Sequence, residues 1–289
     1  MLEITSPSNP RIKLARKLQR RRAREQSGLC LLEGLRLVKD ALAAGATFDS
    51  AFVARRLAEQ AEQNPLLSAL EKADVPLLVV DEGLLADISD TVTPQGIIAL
   101  AHLPAPAIPH NPWLVLVLDG VGDPGNAGTL LRSAAAAGAE LVIFGPETVD
   151  AFSPKVLRAG MGAHFRIGIR GCATWTETES FLGGERSLYV ADAQAEIPYD
   201  AVDWRQPSAL IVGSEAHGPS REAQTVATPI AIPMQGATES LNAAVAGSVI
   251  LFEAARQRRF LIPGVERTIS DLQTGAGPFP ESSAPIGRL

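Results

Sequence analysis

The sequence predicts an α/β fold, in which a larger domain built on a parallel sheet follows a smaller α/β domain. From residue 113 onward, apolar runs of strand length alternate with helical stretches. A proline-rich stretch separates this half from an N-terminal half that has its own strands and helices. The length of 289 residues is enough for two domains, and 46% hydrophobic with 20% charged residues is typical of globular proteins.

The N-terminal domain is predicted over residues 1–103. A basic helix comes first, a strand follows at residues 29–32, and a helix runs from residue 33 or 34 to residue 44. Further strands are predicted at residues 48–53, 76–80 and 96–101. Residues 104–112 contain four prolines, which neither a helix nor a central strand can accommodate, so this stretch is predicted to be the interdomain linker.

The second domain is predicted over residues 113–265. A strand at 113–118, a helix at 126–137 and a strand at 141–144 form a βαβ pattern, which implies a parallel sheet. The alternation continues with a closing helix at 240–259 and with strands at 187–191, 209–212 and 229–232. Residues 266–289 are rich in Pro, Gly and Ser and are predicted to be a flexible tail.

Positive charge is concentrated near the N-terminus. Residues 1–40 carry ten Lys or Arg against four Asp or Glu, although the whole chain has a net charge of −6. Residues 11–24 contain eight basic residues and no acidic one, a density that suits nucleic-acid phosphates and equally suits a solvated helix face. The eight are Arg11, Lys13, Arg16, Lys17, Arg20, Arg21, Arg22 and Arg24.

Several classes of protein are disfavoured. No apolar run is long enough to cross a bilayer, and the N-terminus lacks the apolar core of a secretory signal. A cytoplasmic protein with reduced Cys30 and Cys172 is therefore expected. The four histidines show no metal-ligand spacing, so no metal is expected.

Three polar segments of the second domain form the candidate site. Residues 119–128 are a glycine-rich loop opening a helix, where backbone N–H groups suit phosphate or ribose. Residues 213–218 again place a glycine-flanked polar loop after an apolar strand, and residues 239–242, with Glu239, lead into the closing helix. Two such loops suggest one cleft. Ser240 can cap the helix, whereas Asn242 is a poor helix former that offers both a donor and an acceptor.

Two features of the glycine-rich segment leave alternatives open. Arg132 is an isolated arginine in a helix of core-like residues, so it either pairs with a carboxylate or contacts phosphate or a reacting oxygen. Gly120, Gly122 and Gly125 match a dinucleotide-binding pattern, which leaves a Rossmann-type enzyme with Glu147 as ribose ligand as an alternative. A serine hydrolase is disfavoured because Ser214 does not stand in the required glycine elbow.

The three segments together resemble the SpoU, or TrmH-like, family of RNA ribose 2′-O-methyltransferases in the SPOUT superfamily. The matching motifs are residues 123–132, 213–218 and 232–242, in that order. The resemblance implies a parallel-sheet α/β catalytic domain with a trefoil knot, S-adenosylmethionine as cofactor, a homodimer, and ribosomal or transfer RNA as substrate. Less specifically, residues 32–34 before an amphipathic helix resemble the small RNA-binding domain of the family, which would give the basic run its partner.

The resemblance also implies roles for individual residues. The cofactor would be held by Gly213, Ile232, Met234 and Leu241. The polar active site would contain Asn126, Arg132, Glu215, Ser240 and Asn242. Arg158 resembles a second position for RNA phosphate, although Gly160 stands where a serine is usual. An inactive RNA-binding protein of the same fold is a further alternative.

A guanidinium normally keeps its proton, so a general-base role does not suit Arg132. We therefore expect Arg132 to bind the adjacent phosphate and to stabilise the developing alkoxide. Asn126 and Glu215 are expected to fix its geometry.

Overall fold

The computed structural model describes residues 1–235 and 240–259. Its N-terminal half is a mixed five-stranded sheet with helices on both faces. The strands are β1 Leu2–Glu3, β2 Leu29–Glu33, β3 Phe48–Ala54, β4 Leu77–Val80 and β5 Ile97–His102, in the spatial order β1-β4-β3-β5-β2. The helices are α1 Pro10–Lys17, α2 Arg21–Ser27, α3 Leu35–Ala43, α4 Arg55–Ala58, α5 Pro65–Lys72 and α6 Glu82–Ile88.

Each face of the first sheet has its own apolar core. Alternate strand residues such as Leu32 and Val53 pack against α3 and α5, and residues such as Leu31 and Phe52 pack against α1 and α6. The predicted single basic helix is two helices. The first begins after Asn9, whose side-chain oxygen accepts from the Arg11 N–H at 2.9 Å, and it ends at Lys17.

The second half is a six-stranded sheet in which every strand pair is parallel, as predicted. Its strands are β6 Leu114–Asp119, β7 Leu141–Phe144, β8 Gly168–Gly171, β9 Ser187–Ala191, β10 Ser208–Gly213 and β11 Thr228–Ile230. Its helices are α7 Pro124–Ala137, α8 Pro154–Gly160, α9 Trp175–Leu182, α10 Arg221–Val226 and α11 Ala243–Arg259. One core packs the sheet against α7 and α11, and a second core lies on the opposite face with α9 and α10. Both faces are therefore covered, which explains why the central strands are continuous apolar runs.

The strand order excludes the dinucleotide-binding alternative. The sheet runs β11-β9-β10-β6-β7-β8. Numbered from its own first strand this is 3-2-1-5-4-6, whereas the dinucleotide-binding fold is 3-2-1-4-5-6. The Rossmann-type interpretation of Gly120, Gly122 and Gly125 is therefore wrong, and these glycines belong to the loop between β6 and α7.

Some elements differ from the predictions. Strands β1 and β8 were not predicted, and the strand expected at residues 229–232 is only Thr228–Ile230. The closing helix begins at Ala243 rather than at residue 240. Residues 236–239, which include Glu239, lie outside the described residues, as do residues 260–265 and the predicted tail at 266–289. The trefoil knot stays a prediction.

The two sheets contact each other through α8. Leu157 of this helix is fully buried in the apolar core shared with β2, and Arg158 donates to Glu33 at 3.4 Å and to Asp90 at 2.9 Å. Arg24 forms a second link, through an ion pair with Asp150. The linker predicted at residues 104–112 contains no helix or strand. The proposed domain boundaries remain at residues 103, 113 and 265.

None of the helices in residues 1–235 and 240–259 is both long enough and apolar enough to span a membrane.

Candidate active site

A cavity of about 420 Å³ lies at the carboxyl ends of β9, β10 and β11, under the start of α11. This volume falls in the range of roughly 300 to 1,000 Å³ that is usual for small-molecule sites. Its walls are apolar at Val212, Ile230 and Ile250 and polar at its rim. The carboxyl edge of a parallel α/β sheet is the usual place for a ligand, because the loops that follow the strands meet there.

All four residues predicted to hold the cofactor line this cavity. They are Gly213, Ile232, Met234 and Leu241. Gly213 is buried, and a Cβ atom there would lie 2.5 Å from the Gly218 carbonyl carbon and 2.6 Å from the Pro219 Cα. Position 213 therefore requires glycine because the backbone of the loop between β10 and α10 folds closely over it.

Three of the predicted polar residues form one hydrogen-bonded chain. Asn242 donates through Nδ2 to Asn126 Oδ1 at 3.0 Å, and Asn126 donates through Nδ2 to Glu215 Oε1 at 2.6 Å. The three residues come from the three separate motifs: Glu215 lies 89 positions after Asn126, and Asn242 lies 116 positions after it. The fold thus joins the motifs at the mouth of the cavity, where Glu215 is also a lining residue.

The cap of α11 is Asn242 and not Ser240. Asn242 Oδ1 accepts from the Ala244 N–H at 2.9 Å and from the Val245 N–H at 3.2 Å, and the Ala246 N–H donates to the Asn242 carbonyl. The predicted capping role of Ser240 is corrected accordingly, since the helix begins three residues later. Ser240 is exposed and lines the cavity.

Arg132 does not join the polar chain within one copy of the protein. It lies six residues after Asn126 on α7, which is about 9 Å along the axis and roughly 240° around it. Its side chain is exposed and borders a smaller cavity with Asp40, Met161 and Arg166. The expected contact of Arg132 with Asn126 and Glu215 is therefore absent from the described residues of this chain.

The predicted RNA-binding cations separate into two groups. Most of the basic run is exposed on α1 and α2, and Arg16 pairs with Asp87 at 2.5 Å. Arg24 is 3% exposed and donates to the Leu18 carbonyl at 2.6 Å as well as to Asp150, so its prediction as a phosphate ligand is corrected to a role inside the structure. Arg158 is likewise occupied by Glu33 and Asp90, although its side chain is 27% exposed.

The cavity also has polar lining residues that the sequence analysis did not identify. Asp192 and Gln194 follow β9 directly and line the cavity, as does the exposed His217 of the loop after β10. A signal for the first two existed, because polar residues at the carboxyl end of a parallel strand are placed at the same edge as the other loops. The strand at 187–191 was predicted, but the residues after it were not considered.

Gly160 stands where the family resemblance implies a serine, and the packing of His164 explains the glycine. A Cβ at Gly160 would lie 2.6 Å from His164 Cε1 and 2.9 Å from Nδ1. His164 is fully buried, and its Nε2 lies 2.8 Å from the Ala151 carbonyl. Burial lowers the pKa of His164 to about 4, so the ring is neutral and Nε2 carries the proton that it donates.

Across residues 1–235 and 240–259, no group of three or more His, Cys, Asp or Glu side chains is placed to hold a metal ion.

The fold and the site define an α/β enzyme that binds a small-molecule cofactor at the carboxyl edge of a parallel sheet. A hydrogen-bonded chain of two amides and a carboxylate lies beside the cofactor cavity. Comparison with known proteins identifies the family to which this enzyme belongs. Residues 113–252 match the model of the SpoU rRNA Methylase family, and residues 9–99 match the MRM3-like substrate binding domain.

Relatives cover most of the chain. Mouse "rRNA methyltransferase 3, mitochondrial" is 35% identical over 84% of this chain and 71% of its own length. The Bacillus subtilis "23S rRNA (guanosine(2553)-2'-O)-methyltransferase RlmP" is 31% identical over 87% of this chain and 98% of its own length. Among solved structures, an AdoMet-bound rRNA methyltransferase from Sinorhizobium meliloti has a TM-score of 0.74 at 30% identity, covering 88% of this chain and 97% of that one.

The chain belongs to the SpoU rRNA methylase family, and it is an RNA methyltransferase. The predicted family resemblance is thereby confirmed.

Proposed function

We propose that this protein transfers a methyl group from S-adenosylmethionine to a ribose 2′-hydroxyl of ribosomal RNA. The single observation that carries the proposal is the hydrogen-bonded chain of Asn242, Asn126 and Glu215 at the mouth of the cavity. An inactive RNA-binding protein would not need to keep three polar residues from distant motifs in one bonded arrangement. Ribosomal RNA is the proposed substrate because these relatives are named as rRNA methyltransferases. We propose that the reaction takes place in the cytoplasm.

The cavity suits S-adenosylmethionine in both size and chemistry. Ile232, Met234 and Leu241 offer an apolar surface for the adenine ring, and the close backbone of the loop after Gly213 offers peptide groups to its edge. The cofactor also carries two positive centres, a sulfonium and an ammonium, and the carboxylates of Asp192 and Glu215 stand at the rim. When bound, the cofactor supplies an electrophilic methyl group.

The residues of the protein then have to orient the ribose and remove the proton of its 2′-hydroxyl. In our proposal the Glu215 carboxylate accepts a hydrogen bond from the 2′-hydroxyl and takes its proton as the new O–C bond forms. Asn126 holds Glu215 through the 2.6 Å bond, and Asn242 holds Asn126 from the rigid start of α11. Positioning of this kind supplies a large share of the rate in group transfer.

A homodimer would bring Arg132 to the reaction. On α11, the exposed Val245, Val249 and Phe252 form a stripe, and Phe252 is 45% exposed. Helix α7 lies beside it, joined by the bond of 2.7 Å between Ser133 and Ser248. The exposed side of α7 has small residues around Arg132, namely Gly125, Thr129 and Ala136. We propose that these two helices form the dimer face and that Arg132 stabilises the alkoxide in the partner's site.

The substitution Val249→Asp tests the dimer. A carboxylate in the apolar stripe should dissociate the dimer, which light scattering would report as a halved mass, and turnover should fall by a factor on the order of 100. Val226→Asp is the matched control, since Val226 is also exposed at 37% but lies on α10. A monomeric wild-type protein with full turnover would contradict the proposal.

The proposed reaction itself is tested in the cell. Mapping of 2′-O-methyl groups across total RNA, with and without the gene, should show the loss of a ribosomal RNA site. Complementation with a gene carrying Glu215→Gln should leave that site unmethylated, and a gene carrying Glu185→Gln, at an exposed glutamate between α9 and β9, should restore it. Unchanged methylation after deletion would count against the proposed function.

A further inference from the structure

A second cavity of about 470 Å³ lies between the two halves of the molecule. Its floor is the carboxyl end of β7 and β8, at Phe144 and Gly171, and its wall on the other side is α2 of the basic run. The ion pair between the buried Arg24 and the partly buried Asp150 links these two sides. The cavity therefore exists only when the two halves are docked, and none of the roles proposed above uses it.

This interdomain cavity opens at the same sheet edge as the proposed cofactor site. Strands β7 and β8 are two and three positions away from β10 in the sheet. With about 4.8 Å between neighbouring strands, the nearest strand of the cofactor cavity, β10, is roughly 10 to 15 Å from β7 and β8. Hydrogen bonds connect the loop after β7, which lines the interdomain cavity, to the loop between β6 and α7, which leads to Asn126. The Gly120 N–H donates to Thr148 Oγ1 at 3.0 Å, and the Val149 N–H donates to the Val121 carbonyl at 3.0 Å. A strand of RNA lying along this edge would reach both.

The lining of the interdomain cavity is unsuited to a free anion. Arg24 is already bonded to Asp150 and to a carbonyl, and Arg21 donates to Glu25 at 2.7 Å. Glu147 and Glu177 also line the cavity, and the latter accepts from the Ala173 N–H at 2.6 Å. Glu147 has no hydrogen bond or ion pair with any residue in the described part of the chain. Its backbone is held at a φ of +57°, an uncommon conformation for a residue with a side chain.

The lining does suit a nucleobase. Apolar side chains such as Val149, Phe152 and Ile169 offer surfaces to a flat ring, and the Glu147 carboxylate can accept from ring or exocyclic N–H groups. Arg21 at the border, with the exposed Arg20 and Arg22 next to it, provides positive charge for the adjoining phosphates. Unpaired RNA bases are commonly recognised in this way, by an apolar surface together with hydrogen bonds to the base edge.

We propose that the interdomain cavity binds an unpaired base of the substrate RNA, a few nucleotides from the methylated ribose. The base is one that presents N–H donors, and its recognition by both halves selects the RNA strand that reaches the cofactor site. This inference rests on the proposed function, since it assumes that RNA lies along the carboxyl edge of the sheet.

The substitution Ala173→Trp tests the proposal by filling the cavity from its border, where Ala173 is exposed. We expect the dissociation constant for an unmethylated transcript of the large-subunit ribosomal RNA to rise on the order of tenfold, the effect of losing one good base contact. Affinity for S-adenosylmethionine, measured by calorimetry, should not change. Ala107→Trp, at an exposed linker alanine outside both cavities, is the matched control. Equal RNA affinity in the two tryptophan variants would overturn the proposal.

A second pair of variants and a crosslink keep the test independent of folding in the tryptophan variant. Glu147→Gln should weaken RNA binding several-fold, whereas Glu185→Gln should not. A photoreactive benzophenone side chain at position 173 should crosslink to RNA within a few nucleotides of the methylated ribose. Crosslinking only to protein, or only to distant RNA, would contradict the proposal. Wild-type protein that binds the transcript but does not methylate it would count against the proposed function instead, because the comparison of RNA affinities between variants does not depend on methyl transfer.

Discussion

Asn242 serves the fold and the candidate site with a single side chain. Its oxygen caps α11 through the N–H groups of Ala244 and Val245, and its nitrogen donates to Asn126. The side-chain amide carries its acceptor and its donor on separate atoms, so the cap through the oxygen fixes the direction in which the nitrogen donates. The position of Asn126, and through it that of Glu215, depends on the start of the helix.

The substitution Asn242→Asp separates these two functions. Aspartate caps a helix as well as asparagine, so the free energy of unfolding should change by less than about 1 kcal/mol. The donor to Asn126 is lost, and turnover should fall on the order of 100-fold. Asn242→Ala loses the cap as well and should cost about 1 kcal/mol in addition. Urea denaturation and single-turnover methyl transfer measure the two effects. A fully active Asn242→Asp enzyme would show that the bond to Asn126 is dispensable.

His164 makes the stability of the protein depend on pH. Its folded pKa of about 4 is below the ordinary value of 6.5, so the unfolded state binds the proton more readily between these values. The contribution of His164 to stability is therefore complete above pH 6.5 and is lost as the pH falls towards 4. The loss amounts to about 3 kcal/mol at most.

His164→Gln keeps a donor for the Ala151 carbonyl but does not titrate. Urea denaturation of both proteins at pH 7 and pH 4.5 should show a larger loss of unfolding free energy for the wild type than for the variant. Comparison with the variant removes the contribution of carboxylates, which titrate in both proteins. Equal losses would mean that His164 is not buried in its neutral form.

At the scale of elements, the sequence predicts what depends on local pattern. Strands β6 and β7 are found from their continuous apolar runs because they are buried on both faces. Strand β8, with the sequence Gly-Ile-Arg-Gly, has no such run and is held in the sheet by backbone pairing to β7. The start of α11 is misplaced by three residues because both Ser240 and Asn242 are good caps in isolation, and only the fold selects between them.

For the candidate site, too, local sequence patterns do not predict the contacts between residues that are distant in the chain. The contact between Asn126 and Glu215 could be expected only from the family resemblance, since no local pattern joins two residues 89 positions apart. The position of Arg24 could not be predicted either. It belongs to a uniformly basic run, and only the docking of the two halves shows that its partner is Asp150.

The packing of α7 on α8 depends on Gly128. A Cβ there would lie 2.8 Å from the Val156 carbonyl oxygen and 2.9 Å from the Gly160 nitrogen. Alanine is the better helix former by about 1 kcal/mol, but the clash is with backbone, so Gly128→Ala should destabilise the protein by about 1 to 3 kcal/mol. Thermal denaturation measures this change. Gly183→Ala, where the nearest atom would be at 3.8 Å, is the control. A stabilised Gly128→Ala protein would refute the close approach of the two helices.

For the whole molecule, the contacts between the two halves have the character of a fixed interface. Two arginines that could have faced RNA, Arg24 and Arg158, are bonded instead to carboxylates across the interface or beside it. Leu157 adds an apolar contact that is fully buried. The exposed cations of α1 and α2 are thereby held at a constant position relative to the sheet edge. The basic run can then direct an RNA towards the cofactor site rather than only attract it.

We infer that Asn126, Glu215 and Asn242, beside the cofactor cavity, promote methylation of a ribose of ribosomal RNA. The most direct measurement incubates the purified protein with methyl-labelled S-adenosylmethionine and an unmethylated transcript of the large-subunit ribosomal RNA, followed by nuclease digestion and mass spectrometry. The expected result is one 2′-O-methylated nucleotide, whose formation slows on the order of 100-fold in Asn126→Ala while cofactor binding persists. Label on a base, or no label on RNA by a protein that binds the cofactor, would contradict the claim.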